Sequence, residues 1–246
     1  MDVAILTVGD ELLAGDTENT NATWLARQLT ERGATVTRIL TVPDVESVIA
    51  ETVREWSDDY DAVVVTGGLG GTHDDLTMDG VAAAFDISLA VDADARADVL
   101  ETVAAFREAN PELAENYDLE IDADAQASIP DGARPLLNPT GLSPGCVMEN
   151  VYVFPGIPSE MHAMFELVAD EFGGDVTSQT LRTPAPEGAV TSQLAQVRDQ
   201  YQVAVGSYPT SGEEYNRIKV TSQDPGAVDA AVAWLREHVE IVEDEE

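Results

Sequence analysis

Cysteine, lysine and histidine are nearly missing from this chain of 246 residues, which has one cysteine, one lysine (Lys219) and three histidines. With Cys146 alone, no intramolecular disulfide can form, which fits a reducing cytoplasm. No histidine stands beside Cys146 in sequence, so a thiolate nucleophile is not expected there. His73, His162 and His238 are too scattered for a histidine metal site, although His73 lies in a glycine loop where a ligand could touch it. Long apolar runs are absent too: none approaches the roughly 20 residues of a membrane span. The N-terminus enters Val3-Ala4-Ile5-Leu6 directly, without a basic leader or cleavage site. The expectation is a soluble cytoplasmic protein.

Positive charge is the next shortage. Against 12 Lys and Arg stand 47 Asp and Glu, a formal net charge of −35. Nucleic acids and anionic membranes need basic patches, so neither is an expected partner. The acids recur along the chain, at Asp58-Asp59, Asp92 to Asp98, Glu112 to Asp124, Asp170-Glu171 and Glu243 to Glu246. Apolar residues keep helical and strand spacing between them, which argues against a disordered acidic tail. A folded surface covered in carboxylates and almost free of lysine suits a halophilic source, where salt screens the self-repulsion.

What the chain does have is Val63-Val64-Val65-Thr66-Gly67-Gly68-Leu69-Gly70-Gly71-Thr72-His73-Asp74-Asp75-Leu76-Thr77. A buried strand runs into four glycines and then into paired aspartates at a helix start. Glycines let the backbone approach a ligand closely, and a helix N-terminus offers unpaired N–H groups to an anion. The aspartates cannot bind phosphate, but they can hold a divalent cation that does. The plainer reading is an ordinary strand–turn–helix corner.

Strand and helix patterns alternate over the first two-thirds. Val3 to Val8, Ala34 to Val42, Asp61 to Thr66 and Val151 to Phe154 read as buried strands of a mostly parallel sheet. Helices are expected over Ala22 to Leu29, Val45 to Trp56, Thr77 to Phe85, Ala93 to Glu108 and Ser159 to Phe172, with Asp44, Thr77 and Ser159 as caps. Residues 110–150 are irregular. The rhythm changes after Gly173-Gly174: a strand over Val176 to Thr183, a helix over Glu187 to Tyr201, two strands, and a last helix opened by Asp224-Pro225. The expected domains are 1–174, an α/β unit, and 175–246, a small α+β unit ending in an acidic tail.

Ligands of open α/β sheets bind at the carboxyl ends of the strands. The loops expected there gather Asp10, Glu11, Asp44, Asp74, Asp75 and Glu160. Crowded carboxylates repel unless protonated or bridged, and a hard divalent cation is the simplest bridge.

The segments Gly9-Asp10-Glu11-Leu12-Leu13-x-Gly15, Asn19-Thr20-Asn21 and Thr66 to Thr77 resemble the competence/damage-inducible protein A (CinA) family. Asn138-Pro139-x-Gly141 and Phe154-Pro155-Gly156-x-Pro158-Ser159-Glu160-Met161 are similar to its later motifs. The resemblance covers about residues 2–172 and departs from the family at Gly71, where proline is usual. It implies a three-layer MoaB/MogA-like molybdopterin-binding fold followed by a small KH-like αββα domain, which shows no Gly-x-x-Gly clamp for RNA. It also implies assembly as a dimer or trimer. The part that performs nicotinamide mononucleotide deamidation in the family is not expected in this sequence.

The leading expectation is a metal-dependent pyrophosphatase acting on ADP-ribose or a related dinucleotide. Backbone amides of Gly67, Gly68, Gly70 and Gly71 would hold the diphosphate, assisted by Thr72 and Thr77. Asp75, with Asp44 or Asp10, would hold the divalent cation and carry the catalysis, next to Asp74. Asn19, Asn21 and Asn138 would bond sugar or base, with Gly156 and Glu160 in the last loop. Two alternatives remain open: a molybdopterin-binding or adenylyltransferase-like protein of molybdenum-cofactor synthesis, and a non-catalytic nucleotide-binding scaffold.

Overall fold

The computed structural model describes residues 1–70, 75–112, 121–209 and 215–242. They form two compact units. Met1–Gln28 and Val36–Phe172 make the first; Leu29–Thr35 and the chain from Gly173 onward make the second. The stretch Leu29–Thr35, which sequence places in the larger unit, joins the smaller one, where Val176 N–H donates to Gly33 O at 3.3 Å.

Within the first unit, β1 (Asp2–Val8), β2 (Thr35–Val42), β3 (Ala62–Thr66), β6 (Arg134–Leu136), β7 (Gly145–Met148) and β8 (Val151–Phe154) form one sheet in the order β2-β1-β3-β8-β7-β6. β1, β3 and β8 are parallel, in the registers Ile5↔Val64 and Val65↔Val153. β7 and β6 continue the sheet antiparallel. These two short strands lie in the stretch that the sequence leaves irregular. A separate two-stranded ribbon joins β4 (Leu89–Val91) to β5 (Ser128–Pro130).

β3 explains the parallel centre. All five of its residues are buried, as a strand covered on both faces must be. The core on one side combines Leu6, Val63, Val65 and Val153 with Ile49, Val53 and Trp56 of the helix Glu46–Asp59 and Val81 of the helix Thr77–Ala84. Elsewhere in the unit, Leu25, Phe154, Met161, Met164 and Phe165 are wholly buried. The ring of Phe165 lies 5.4 Å from Trp24, 6.2 Å from Phe154 and 5.5 Å from Phe172. Each such side chain contributes about 1.5–3 kcal/mol by leaving water.

Three expected helix caps are corrected by the structure. The helix Glu46–Asp59 begins after Val45 without a side-chain cap, and the helix Thr77–Ala84 begins after Leu76, so neither Asp44 nor Thr77 caps. The helix Pro158–Glu166 starts on its proline, leaving Ser159 inside the first turn. Asp224 does cap its helix: Oδ1 accepts the N–H groups of Gly226 (2.9 Å) and Ala227 (3.3 Å).

In the second unit β9 (Thr177–Thr183), β10 (Ala204–Tyr208) and β11 (Asn216–Ser222) form an antiparallel sheet, order β10-β11-β9. Helices Glu187–Tyr201 and Pro225–His238 close a core of Leu181, Val197, Ile218, Val220, Val228 and Leu235. Among the described residues, no helix is long and apolar enough to cross a membrane.

Candidate functional site

Strands β1, β3 and β8 end side by side, and the turns that leave them surround a cleft of about 540 Å³. Gly67 makes this packing possible. Its φ is +113°, and a Cβ there would strike the carbonyl oxygen of Val8 at the end of β1. A Cβ on Gly156, after β8, would lie 3.3 Å from the Gly67 Cα, so three chain segments meet without side chains between them.

The glycine loop does not offer all its amides. Gly67 N–H donates to Phe154 O at 3.2 Å, which removes it from the expected phosphate cradle. Gly68 and Gly70 line the cleft and keep that role open. Gly71, Thr72, His73 and Asp74 lie outside the described residues. A brace missed in the sequence supports the loop: Gln126 Nε2 donates to Leu69 O (3.1 Å) and to Ser143 Oγ (3.0 Å). No sequence signal marks Gln126, because it sits in the irregular stretch.

The three expected metal-binding aspartates are not equivalent. Of these only Asp75 lines the cleft; Glu11, Glu18 and Glu160 are the other carboxylates there among the described residues. Asp44 Oδ2 accepts the Asp10 N–H at 2.8 Å, so Asp44 fastens the neighbouring loop. A Cβ on Gly68 would lie 3.3 Å from Asp44 Oδ1, and one on Gly70 would lie 2.5 Å from Asp75 Oδ2, so two carboxylates flank the glycine loop. Burial raises the Asp44 pKa most; the Asp10 N–H bond lowers it, and the charges of Asp10, Glu11 and Asp75 raise it further. Among the described residues, no group of three or more His, Cys, Asp or Glu side chains is placed to hold a metal ion. A cation there would have at most one or two of these carboxylates as protein ligands and would need phosphate and water oxygens to complete its shell.

The asparagines divide by what their side chains already do. Asn19 Nδ2 donates to Thr7 Oγ1 (2.9 Å) and Thr41 Oγ1 (3.2 Å), while its Oδ1 accepts Ala22 N–H (3.1 Å) at the start of the helix Thr20–Glu31. Asn19 lines the cleft, yet its side chain is already engaged as an N-cap tied to β1 and β2. Asn138 is already held by the protein and is not among the residues lining the cleft. It is 4% exposed, donates to Glu160 Oε2 (2.7 Å) and Ser143 O (3.0 Å), and accepts Thr140 N–H (3.2 Å). Asn21 differs: Nδ2 donates to Gly156 O (2.7 Å), but Oδ1 is buried without a partner on the cleft wall. Thr77 Oγ1 is a second orphan, wholly buried and 2.6 Å from where a Gly68 Cβ would sit. It therefore lies beneath the loop and not on the cleft surface.

Apolar walls complete the cleft: Leu12, Leu69, Leu142 and Ile157, the last 57% exposed. Cys146 is buried, which pushes its thiol up to about 12 and removes it as a nucleophile. His162 stacks on Trp24 at 3.9 Å, and burial lowers its pKa, as befits a core-edge histidine.

Residues 4–173 match the family described as "Probable molybdopterin binding domain", and residues 175–245 match "FAD synthase, middle domain". An Archaeoglobus fulgidus protein is 36% identical over 239 residues, 96% of this chain and 97% of that one. A "CinA-like protein" of Frankia casuarinae is 43% identical over 179 residues, 67% of this chain but 38% of its own length. Among solved structures, the protein CinA "with unknown function" from Thermoplasma acidophilum is 33% identical, with a TM-score of 0.59 over 70% of this chain and 99% of that one. Because the matched span takes in β3, β8, most of β1 and every described residue of the cleft, the chain belongs to the molybdopterin-binding domain family, with CinA-like relatives.

Proposed function

We propose that the cleft binds a phosphorylated ligand carrying a planar ring, and that the protein is a divalent-metal-dependent pyrophosphatase of ADP-ribose or a related dinucleotide. The observation that carries this reading is the flanking of the Gly68–Gly70 amides by Asp44 and Asp75 beside an orphaned Asn21 Oδ1.

The Gly68 and Gly70 amides would bind phosphate oxygens, as turn amides do in other anion sites. Asn21 Oδ1 would accept a hydroxyl or ring N–H from the ligand, which satisfies an acceptor otherwise buried alone. Leu12, Leu69, Leu142 and Ile157 would cover the ring and exclude water from the diphosphate. Asp75, with Asp44 across the loop, would hold the cation; when bound, it would polarise a phosphoryl oxygen and acidify water. In the overall reaction water adds to one phosphorus and the bridging P–O bond breaks, giving AMP and ribose 5-phosphate.

The test is hydrolysis of ADP-ribose by purified protein in molar KCl, with EDTA or with a series of divalent cations. Metal-dependent AMP release that is lost in Asp75→Asn supports the reading; no release with any cation rejects it. The family match favours a second reading, a pterin phosphate bound in the same cleft without hydrolysis. A fluorescent pterin co-purifying with the protein, in place of turnover, would establish it. Assembly as a homo-oligomer belongs to the same proposal and is read by light scattering in molar KCl.

A further inference from the structure

Gly68, Leu69 and Gly70 form a wall shared by two cavities. One is the cleft; the other, of about 430 Å³, is lined by the same three residues together with Gln126, Met78 and Ser128. Gln126 is not part of the cleft lining, and Thr77 lines neither cavity. Both nevertheless grip the loop. Thr77 N–H donates to Gly68 O at 3.3 Å, and Gln126 Nε2 donates to Leu69 O at 3.1 Å. A carbonyl oxygen only accepts, so the nitrogen of the Gln126 amide, and not its oxygen, faces Leu69 O.

A trans peptide is a rigid plane in which C=O and N–H point in opposite directions. Tying Gly68 O and Leu69 O to groups off the cleft therefore turns the N–H groups of Leu69 and Gly70 the other way. Gly68 has φ +56° and Leu69 does not share its positive sign, a change of hand of the kind that brings successive N–H groups to one side in anion-binding nests. Local sequence does not fix this orientation. Glycine at position 70 tolerates either face of the Leu69–Gly70 peptide, so the Gln126 bond decides which one is presented. Gln126 is itself anchored: its N–H donates to Asp122 O at 2.9 Å, and Asp122 Oδ1 accepts the N–H groups of Asp124 (3.1 Å) and Ala125 (3.0 Å). Its second side-chain bond, to Ser143 Oγ at 3.0 Å, holds the amide in place.

We propose that Gln126 is a positioning residue of the phosphate site: it fixes the Leu69–Gly70 peptide so that the Leu69 and Gly70 N–H groups face the cleft and receive a diphosphate. This rests on the reading of the cleft as a phosphate site, and adds to it the Leu69 amide and the group that aims the loop. Without Gln126 the peptide is free to turn over. Leu69 O would then face the anion, an acceptor in place of a donor. Gln126 touches no ligand and acts only through the loop.

The test is residue-resolved amide NMR of the full chain in molar KCl with Mg²⁺, titrated with inorganic pyrophosphate. Wild type is compared with Gln126→Met, which keeps the length of the side chain and removes its donor. In wild type the Leu69 and Gly70 amides are expected to shift with pyrophosphate. Gln126→Met should weaken pyrophosphate at least about tenfold, the contribution of one hydrogen bond to a charged group. The amides of Ile5 and Val64, in the parallel sheet, should keep their wild-type shifts. A merely structural brace would lower the Tm of the variant and leave the affinity of its folded fraction unchanged. Should Gln126→Met disturb the helix Ala123–Gln126, Gln126→Ala reads the same quantity. The proposal is overturned if the Leu69 and Gly70 amides do not move, or if the variant binds pyrophosphate like wild type. Hydrolysis is read apart, as AMP release from ADP-ribose. Pyrophosphate binding that depends on Gln126, without AMP release, leaves this inference standing and rejects the hydrolytic reading. AMP release with wild-type pyrophosphate affinity in the variant does the reverse.

Discussion

Asp44 and Asp10 are joined side chain to main chain: the Asp44 carboxylate accepts the Asp10 N–H at 2.8 Å, fastening the exit of β2 to that of β1. The bond favours the ionised carboxylate, but burial and three neighbouring acids outweigh it, so the folded-state pKa lies above the ordinary value. The folded protein therefore binds this proton to a higher pH than the unfolded chain does. Stability falls as pH rises through that interval.

Asp44→Asn keeps an acceptor for the Asp10 N–H and removes the charge. It is expected to raise the Tm near neutral pH, the gain vanishing as pH falls below the ordinary aspartate value of about 3.9. Thermal unfolding of both proteins across that range measures it; an unchanged or lowered Tm at neutral pH would refute the assignment.

Gly67→Ala must both hold a positive φ and clear the Val8 carbonyl. The backbone strain alone costs about 1–3 kcal/mol, and the clash adds to it. Denaturant unfolding should show the loss, whereas Gly15→Ala, at φ +77° with open space around it, should show strain without collision.

Thr77→Val removes a buried hydroxyl that has no partner among the described residues and keeps its shape. A gain of about 1 kcal/mol in the ligand-free protein is expected, since orphaned buried polar groups cost that order. Loss of stability would show that the hydroxyl is satisfied in solution.

Cys146 should not react with a thiol reagent in the native protein at neutral pH and should react at once in denaturant, given its burial and a pKa of about 12. Labelling followed by mass spectrometry distinguishes the cases.

Raising KCl should raise the Tm steadily, because screening relieves the repulsion of 47 acidic side chains set against 12 basic ones. A Tm independent of salt would remove the halophilic reading.

The parallel core was readable because a strand covered on both faces needs an unbroken apolar run, and Val3 to Val8, Ala62 to Thr66 and Val151 to Phe154 supply one. β6 and β7 were not readable: three and four residues between proline-rich turns carry too little periodicity. The motif asparagines were visible, but their roles depend on distant partners. Nothing local tells that Asn138 meets Glu160 while Asn21 keeps a buried acceptor without a partner among the described residues. The missed caps have the same origin, since Asp44 takes a partner 34 residues away in preference to the nearest helix. The cleft position followed from topology; the division of labour among its carboxylates required coordinates.

β2 ends the six-stranded sheet, and its Ile39 and Leu40 are 49% and 40% exposed. Such a margin invites another strand to zip onto it, with fibrous or amorphous precipitation as the outcome. In dilute buffer the mutual repulsion of heavily anionic molecules keeps those margins apart. Concentrated salt, which steadies each molecule, also lowers that fence, so thermal tolerance and colloidal lifetime should move in opposite directions as salt is raised.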